Sequence, residues 1–318
     1  MNLINFLHYI SVGLCTFIPS LGVSIGQAKA AEACFNAINI QPEARDEISR
    51  STIIALALIE TAGLLGVIAS LLLIFYKTET LPIALAQLGI VFAICITGFM
   101  TAIASSLPAR DALLSIARQS FTTRSRKITN LMILCQSLVQ TPLPFGFMIS
   151  LLIYYQLNSV VSLGQAITLI ASGLCIGLAT IGPAIGGGIF TRNACKAVGL
   201  NNNIYSRIIS FTIISQAIIE TPIIFAVIIS FWLLSIASSV SNSLSIIAIA
   251  VACLMGIGTL AAGIGSGMTA ASGCSQVPFT EDKDYNNLSK TTIIAQGLID
   301  TSAIYALMVS IVLLITVL

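Results

Sequence analysis

Charge is scarce in this chain, which has 318 residues of which only 8% are charged and 57% are hydrophobic. An ordinary soluble domain is roughly 25% charged, so this chain could not cover a globule with charged side chains. The composition therefore excludes an ordinary soluble protein and predicts an integral membrane protein. Apolar runs of about 20 residues fit a bilayer core of roughly 30 Å as helices, and alternating short strands of the barrel type are absent.

Residues typical of metal, redox or nucleotide-binding sites are also scarce or lack the spacing that such sites require. His8 is the only histidine, and the 8 cysteines form no Cys-x-x-Cys pair, so we predict no metal site and interpret the cysteines as packing residues. The strings "GPAIGGG" and "GIGSG" lack the preceding strand and the following Lys-Ser/Thr of a nucleotide-binding loop. We expect no catalytic residue, no cofactor apart from a transported ion, and no nucleic-acid partner.

Eight apolar segments are long enough to cross a membrane as helices, whose backbone groups pair internally. They cover residues 5–28, 52–76, 81–107, 129–156, 160–190, 205–236, 243–271 and 290–318. Ala28-Lys29-Ala30 resembles a cleavage site, but no Lys or Arg precedes the first apolar run, so we do not expect a signal peptide.

Basic residues concentrate in the connections between spans 1 and 2, 3 and 4, 5 and 6, and 7 and 8; Lys77 is the exception. By the positive-inside rule, these connections face the cytoplasm. Both termini are then on the opposite side of the membrane.

The chain repeats itself with a period of 80 residues. The repeat is clearest at one position near the middle of each even-numbered span, occupied by Glu60, Gln140, Glu220 and Asp300. In the odd-numbered spans, "SVGLC" at 11–15 matches "ASGLC" at 171–175. Because each unit contains two spans, all units share one orientation. The sequence predicts an all-α membrane protein of four tandem helical hairpins, with repeats at 1–80, 81–158, 159–240 and 241–318.

Three carboxylates lie at a depth that no Lys or Arg shares: Glu60, Glu220 and Asp300. An ionised carboxylate at the centre of a bilayer costs at least about 2.5–3.5 kcal/mol. Such a group must be protonated, bind a cation, or face water or a protein site. A structural hydrogen bond between helices would explain one isolated acid better than three at a fixed period. We interpret the three acids as ion-binding residues.

Polar neighbours accompany these acids. Gln216 and Gln296 precede Glu220 and Asp300 by four residues, share their helix faces, and can donate a hydrogen bond or offer an oxygen to a cation. A threonine follows each repeat position: Thr61, Thr141, Thr221 and Thr301. These hydroxyls can support the site or bond to their own backbone. Tyr305 is either a cap for the Asp300 site or a packing aromatic.

Gln140 departs from the acid series. Glutamine is nearly isosteric with protonated glutamate and keeps a donor and an acceptor, but it cannot release a proton. We therefore predict an inactive site in the second hairpin.

Glycines four residues apart recur on the odd-numbered spans, as at Gly22 and Gly26 or Gly182 and Gly186. Small residues on one face let helix backbones approach closely. This spacing predicts a tightly packed row of parallel helices.

A glycine-rich helix, a polar connection and a second helix with one mid-membrane carboxylate resemble the c-subunit, the proteolipid of rotary ATP synthases. The string "GLCTFIPSLGVSIGQAKAAEACFNAINIQPEARDEI" at 13–48 carries the resemblance through Gln41-Pro42-Glu43-Ala44, and "ARQS" at 117–120 is similar to the same connection. Four fused hairpins with one acid lost are also similar to the proteolipids of vacuolar-type proton pumps.

The resemblance implies a non-catalytic rotor component that couples ion translocation to ATP synthesis or hydrolysis. Its copies would form a ring in lipid (a c-ring), with Glu60, Glu220 and Asp300 exchanging ions with the stator a-subunit and the polar connections contacting the central stalk. The alternative that the residues leave open is an eight-helix secondary transporter or channel with midplane acids, although such transporters often have inverted repeats.

The transported ion is a proton or sodium. Gln27, Glu60 and Thr61 offer the several oxygens that a hard cation needs, and in this they resemble the sodium-binding members. The third and fourth repeats have Gly187 and Ser266 at the Gln27 position, which favours protons.

Overall fold

A computed structural model describes residues 3–119, 123–238 and 245–317. Over these ranges the chain is helical, with short turns between the helices. The helices are α1 (Leu3–Ile40), α2 (Arg45–Ile74), α3 (Leu81–Arg118), α4 (Thr123–Val139), α5 (Pro142–Gln156), α6 (Leu163–Leu200), α7 (Tyr205–Ile236), α8 (Ser245–Gln276), α9 (Asp282–Ile299) and α10 (Thr301–Val317).

Eight helical segments in the described ranges are long and apolar enough to cross a membrane. Six of them are single helices, and α4–α5 and α9–α10 each form one span with a short interruption. The predicted all-α multi-pass membrane fold is confirmed.

The helices form two layers. One layer is a row in which α1 packs against α3, α3 against α6, and α6 against α8, while the other helices cover one side of this row. Glycine permits the close approach: a β-carbon on Gly22 would lie 2.7 Å from the Phe99 carbonyl oxygen, and Gly186 meets Gly263 backbone to backbone. The row matches the packing that the glycine spacing predicts.

The helices of this row are longer than the predicted spans. The first span was expected to end near residue 28, but α1 continues to Ile40 and has 38 residues. At about 1.5 Å per residue, α1 is about 57 Å long, well beyond a bilayer core. The extension stays helical because Ala30, Ala33 and Ala37 continue its buried stripe. Much of each polar connection is therefore helix that extends past the apolar zone.

The even-numbered spans differ at the repeat position. Helix α4 ends at Val139 and Pro142 opens α5, whereas α7 runs without interruption through Pro222. The last span is interrupted at Asp300, where the neighbouring residues include no proline. Proline is thus neither sufficient nor necessary for the break, although its missing N–H and its ring disfavour a regular helix.

Candidate ion-binding sites

The structure places the four repeat positions in four separate hairpins, so the three acids do not form one cluster. Gln140 and Asp300 are nearly buried, with 9% and 6% of their surfaces exposed. Glu220 is partly buried and Glu60 is exposed. Four equivalent positions in the sequence therefore have different surroundings.

Glu220 has the most direct support from its own helix. Gln216 Nε2 donates to Glu220 Oε1 at 2.9 Å, across one helical turn. The Thr141 hydroxyl of the preceding hairpin donates to the Leu138 carbonyl at 2.8 Å, and its side chain lies near the same carboxyl group. Thr221 instead donates to the Ala217 carbonyl at 3.1 Å, so its hydroxyl serves its own backbone.

Gly187 makes room for this arrangement. A β-carbon at Gly187 would lie 2.6 Å from Gln216 Nε2, so a side chain there would displace the amide. Glycine also offers no hydroxyl to the glutamine, which leaves the amide free to turn towards Glu220.

Gln140 lies in a dense network. Its Nε2 donates to the Leu58 carbonyl at 2.7 Å and to Ser105 Oγ at 3.0 Å, while its Oε1 accepts from Thr61 Oγ1 at 2.8 Å. These bonds join the first hairpin to the second. Gln140 is thus a hydrogen-bonded link between helices, with both ends of its amide occupied.

Asp300 differs from both. Gln296 Nε2 is directed at the Ser215 carbonyl (3.2 Å) and at Ser266 Oγ (3.3 Å), rather than at Asp300. Within the described residues, the buried Asp300 Oδ1 and Gln296 Oε1 have no hydrogen-bond partner. Two buried acceptors therefore lie unpaired near this position, where a proton or a cation would satisfy them.

Two other residues predicted to support Asp300 lie elsewhere. Thr301 donates to the Leu298 carbonyl at 2.7 Å. Tyr305 is 65% exposed, and among the described residues its hydroxyl has no hydrogen bond with Asp300, because five residues along a helix turn the side chain to another face. As a cap for Asp300, Tyr305 is not supported by this geometry.

Neither of the two side chains predicted to support Glu60 is directed at its carboxyl group. Gln27 Nε2 donates to the Leu56 carbonyl at 3.2 Å instead of to the acid. Thr61 is directed at the Leu58 carbonyl and at Gln140. In the third hairpin the two corresponding positions are Gly187 on the first helix and Gln216 on the second. In the first hairpin they are Gln27 and Leu56, so each hairpin has one glutamine at these positions, but on different helices.

Sequence reasoning missed the polar groups that come from neighbouring helices. Ser105 on α3 contacts both Gln136 and Gln140, and Thr141, which donates to the Leu138 carbonyl of its own helix, also lies near the acid of the next hairpin. The 80-residue period was the available signal, because Thr61 to Gln140 and Thr141 to Glu220 are both steps of 79 residues. The spacing could not show the rotation of adjacent helices that brings them together.

The family model for the ATP synthase c-subunit matches residues 10–73, 170–233 and 249–313, which together make up more than half of the chain. The chain belongs to the ATP synthase c-subunit family. The three matched segments contain Glu60, Glu220 and Asp300, whereas the second hairpin with Gln140 lies between them.

Individual relatives each resemble one hairpin of this chain. The ATP synthase c-subunit of Chloroflexus aurantiacus is 36% identical over 67 residues, which are 21% of this chain and 88% of the relative. The ATP synthase c-subunit of Dehalococcoides mccartyi is 41% identical over 73 residues, which are 23% of this chain and 96% of the relative. This chain is therefore a fused, multi-hairpin form of a c-subunit, and the secondary-transporter alternative is not favoured.

Proposed function

We propose that this c-subunit carries one ion each on Glu60, Glu220 and Asp300 as the rotor ring of an ATP synthase turns, while Gln140 carries none. The proposal rests on the recurrence of an acid at the same repeat position of spans that are otherwise uncharged. Intramembrane acids of this kind are expensive to maintain and mark ion pathways.

The polar surroundings support ion carriage by the two more buried acids. Glu220 already receives a hydrogen bond from Gln216, and Asp300 Oδ1 lies buried without a partner among the described residues. A buried polar group without a partner costs about 1–3 kcal/mol. Protonation of Asp300, or binding of a cation, relieves that cost, which favours loading of the site.

We propose the proton as the transported ion, with sodium as the alternative that the test distinguishes. Sodium requires several oxygen ligands around one position. In the sequence, Glu60 has the most oxygen-bearing side chains at matching positions. In the structure, however, the Gln27 amide donates to a backbone carbonyl instead of to Glu60. Protonation needs only the carboxyl group and suits all three sites.

Family membership implies a ring within ATP synthase. We further propose that the a-subunit of the stator exchanges ions with the three acids, that lipid covers the remaining outer surface, and that the basic ends of the hairpins contact the central stalk on the cytoplasmic side. The termini would then lie on the opposite side. The concentration of Lys and Arg in alternate connections supports this orientation.

Labelling with dicyclohexylcarbodiimide, which modifies protonated carboxyl groups in apolar surroundings, tests the proposal on the assembled ring. Peptide mass spectrometry should locate adducts on Glu60, Glu220 and Asp300. For proton carriage, labelling slows as pH rises and is unaffected by sodium at fixed ionic strength, with potassium as the control cation. Protection by sodium alone would establish sodium as the ion, and unmodified acids at low pH would contradict ion carriage.

A further inference from the structure

A crevice lies between the first and second hairpins, at the end of the bundle opposite to the basic connections. The segment that follows α2, the start of α3 and the end of α5 form its walls, and its volume is about 490 Å³. Aromatic and charged side chains line it together: Phe75, Tyr76, Tyr154 and Tyr155, with Lys77 and Glu79. We call it the aromatic crevice. Ion carriage by the acids uses none of these residues.

The repeat explains the crevice but not its lining. One hairpin later, a crevice of about 250 Å³ occupies the same place between the second and third hairpins. Four positions of the lining correspond at the 80-residue period: Tyr76, Glu79, Tyr154 and Tyr155 in the first crevice match Gln156, Ser159, Leu234 and Ser235 in the second. Among the described residues that line the second crevice, none is aromatic or charged. The aromatic and charged lining is therefore not a feature of the repeat and requires its own explanation.

Lys77 and Glu79 are set apart from the other charges of the chain. Every other charged residue lies in or beside one of the basic connections or is one of the three mid-span acids. Both side chains are exposed, and in the described part of the chain neither forms an ion pair. One positive and one negative charge therefore remain available for a ligand at the mouth of the crevice.

A buried polar cluster holds the short connection that carries these two charges. Thr78 lies between them, and its Oγ1 is 3.1 Å from His8 Nδ1 and accepts from Gln87 Nε2 at 2.7 Å. His8 Nδ1 is also 3.0 Å from Gln87 Oε1, and both His8 and Gln87 are buried. Because the cluster fixes Thr78, Lys77 and Glu79 project from a preorganised segment, which lowers the entropic cost of binding.

Three tyrosine rings stand at steep angles to one another in the crevice. The ring centroids of Tyr76 and Tyr154 are 5.7 Å apart with their planes inclined by 69°, and those of Tyr154 and Tyr155 are 6.0 Å apart at 74°. The Tyr76 hydroxyl donates to Asn158 Oδ1 at 2.8 Å, which fixes its ring. Burial, Tyr154 and the Glu79 carboxylate raise the pKa of the Tyr76 hydroxyl, so the hydroxyl stays protonated and Glu79 adds negative potential beside the rings. Aromatic faces attract ammonium groups, and the rings and Glu79 together favour a cation.

An apolar stripe on α2 leads along the helix to the crevice. Its members are exposed and follow one face at helical spacing: Leu64, Ile68, Leu71 and Phe75. The corresponding residues of α7, which are Ile224, Ile228 and Phe231, are also exposed, although α7 has helices on both sides. This face therefore stays open at an internal position of the bundle as well as at its edge. In a membrane, the acyl chains of lipids cover such a face.

We infer that the aromatic crevice binds the headgroup of a zwitterionic phospholipid. The ammonium lies among the tyrosine rings and Glu79, the phosphate pairs with Lys77, and the acyl chains follow the stripe on α2. A headgroup without net charge matches the single pair of opposite charges. Sites for anionic lipids have several Lys or Arg, which in this chain lie at the other end. The inference rests on the lipid-covered outer surface proposed above but not on ion carriage, because the crevice is about four helical turns from the acids.

Photolabelling of the assembled ring in phosphatidylglycerol vesicles tests the site. Traces of two lipid probes with identical acyl chains would be compared, each with a diazirine on the acyl chain near the headgroup. One probe has a phosphocholine headgroup and the other a phosphoglycerol headgroup. Peptide mass spectrometry should find the choline probe several-fold enriched over the glycerol probe at the ends of α2 and α5, but not at the crevice of Gln156 and Ser235. A ratio of the two probes that is the same at both crevices would overturn the inference.

Substitutions in the two crevices provide matched variants. Tyr76→Leu/Tyr154→Leu should abolish the enrichment, whereas Gln156→Leu, which gives the second crevice leucine at the same two positions, should leave it unchanged. Glu79 is exposed, so Glu79→Gln should preserve the ring, as native mass spectrometry would verify, and should lower the enrichment several-fold. Enrichment that persists in both Glu79→Gln and the tyrosine variant would contradict binding by the rings and the acid.

Two further measurements separate a lipid from a soluble ligand and the crevice from the ion sites. Water-soluble glycerophosphocholine lacks the acyl chains that follow α2 and should not displace the choline probe; displacement at equal concentration would contradict a lipid site. Carbodiimide labelling of Glu60, Glu220 and Asp300 should be the same in the parent ring and in Glu79→Gln. A parent ring with labelled acids but no choline enrichment refutes the lipid site alone, and enrichment without labelled acids refutes ion carriage alone.

Discussion

The second and fourth hairpins place different side chains in nearly the same burial. Gln140 is 9% exposed and has hydrogen bonds at both ends of its amide, whereas Asp300 is 6% exposed and its Oδ1 has no partner among the described residues. The glutamine four residues earlier has an unpartnered Oε1 in both hairpins, so the contrast lies in the repeat position itself. The amide site joins helices, and the acid site keeps an atom available.

This difference suggests that loss of the acid allowed the second site to take a structural role. An amide can donate and accept at the same time, and Gln140 uses both capacities across the junction with the first hairpin. An ionised carboxylate at this position could not do the same, because it only accepts hydrogen bonds.

The largest expected effect comes from removing a second carrier next to the inactive site. Glu220→Gln would leave two consecutive hairpins without an ion, whereas Asp300→Asn would leave single gaps. We therefore expect Glu220→Gln to abolish most ion transport in proteoliposomes and Asp300→Asn to reduce it less. Equal transport in the two variants would show that the spacing of carriers around the ring does not matter.

Removing the Gln140 link should destabilise the protein. Gln140→Leu leaves the Leu58 carbonyl, Thr61 and Ser105 without this partner, and a buried polar group left unpaired costs about 1–3 kcal/mol. The free energy of unfolding in denaturing detergent should fall by an amount of that order. Gln140→Glu, which in its protonated form keeps one donor, should lose less; an unchanged Leu variant would refute the structural role of the amide.

Two serines provide a matched pair with a smaller effect. Ser105 contacts the Gln140 network, and Ser266 contacts Gln296 beside Asp300. Ser105→Ala should lower stability by about 1 kcal/mol, the usual worth of one hydrogen bond, and leave labelling of all three acids unchanged. Ser266→Ala should alter the labelling rate of Asp300, measured by peptide mass spectrometry. The reverse pattern would contradict the division between a linking site and a carrying site.

The smallest expected effect tests how the third site differs from the fourth. Gly187→Ser would introduce the hydroxyl that the fourth hairpin has at Ser266, and its β-carbon would lie within 2.6 Å of Gln216 Nε2. The amide should turn away from Glu220, and the rate of carbodiimide labelling at Glu220 should approach that at Asp300. Gly187→Ala separates the steric effect from the hydroxyl; an unchanged rate in both variants would show that Gln216 does not tune the acid.

The sequence predicted the parts of this fold that follow from composition and period. Low charge indicated the eight membrane-spanning segments, and the glycine spacing indicated the close row of helices. The length of α1 was underestimated because alanines in its polar extension, such as Ala33 and Ala37, continue a buried helical stripe that a hydropathy pattern treats as part of a loop.

The site was only partly predictable, for a geometric reason. Spacing along one helix correctly suggested that Gln216 could reach Glu220, since residues four apart share a face. The same spacing suggested that Gln296 could reach Asp300, but Ser215 and Ser266 compete for its amide. Contacts between hairpins depend on helix rotation, which one sequence does not specify.

Four hairpins with three ion carriers is the central claim, and the number of adducts per chain tests it most directly. The assembled ring would be treated with carbodiimide to saturation at low pH, dissociated, and weighed as intact chains. The account predicts a maximum of three adducts on the parent chain and four on Gln140→Glu. A parent chain that saturates at fewer than three, or that gains a fourth adduct without an acid at position 140, would contradict it.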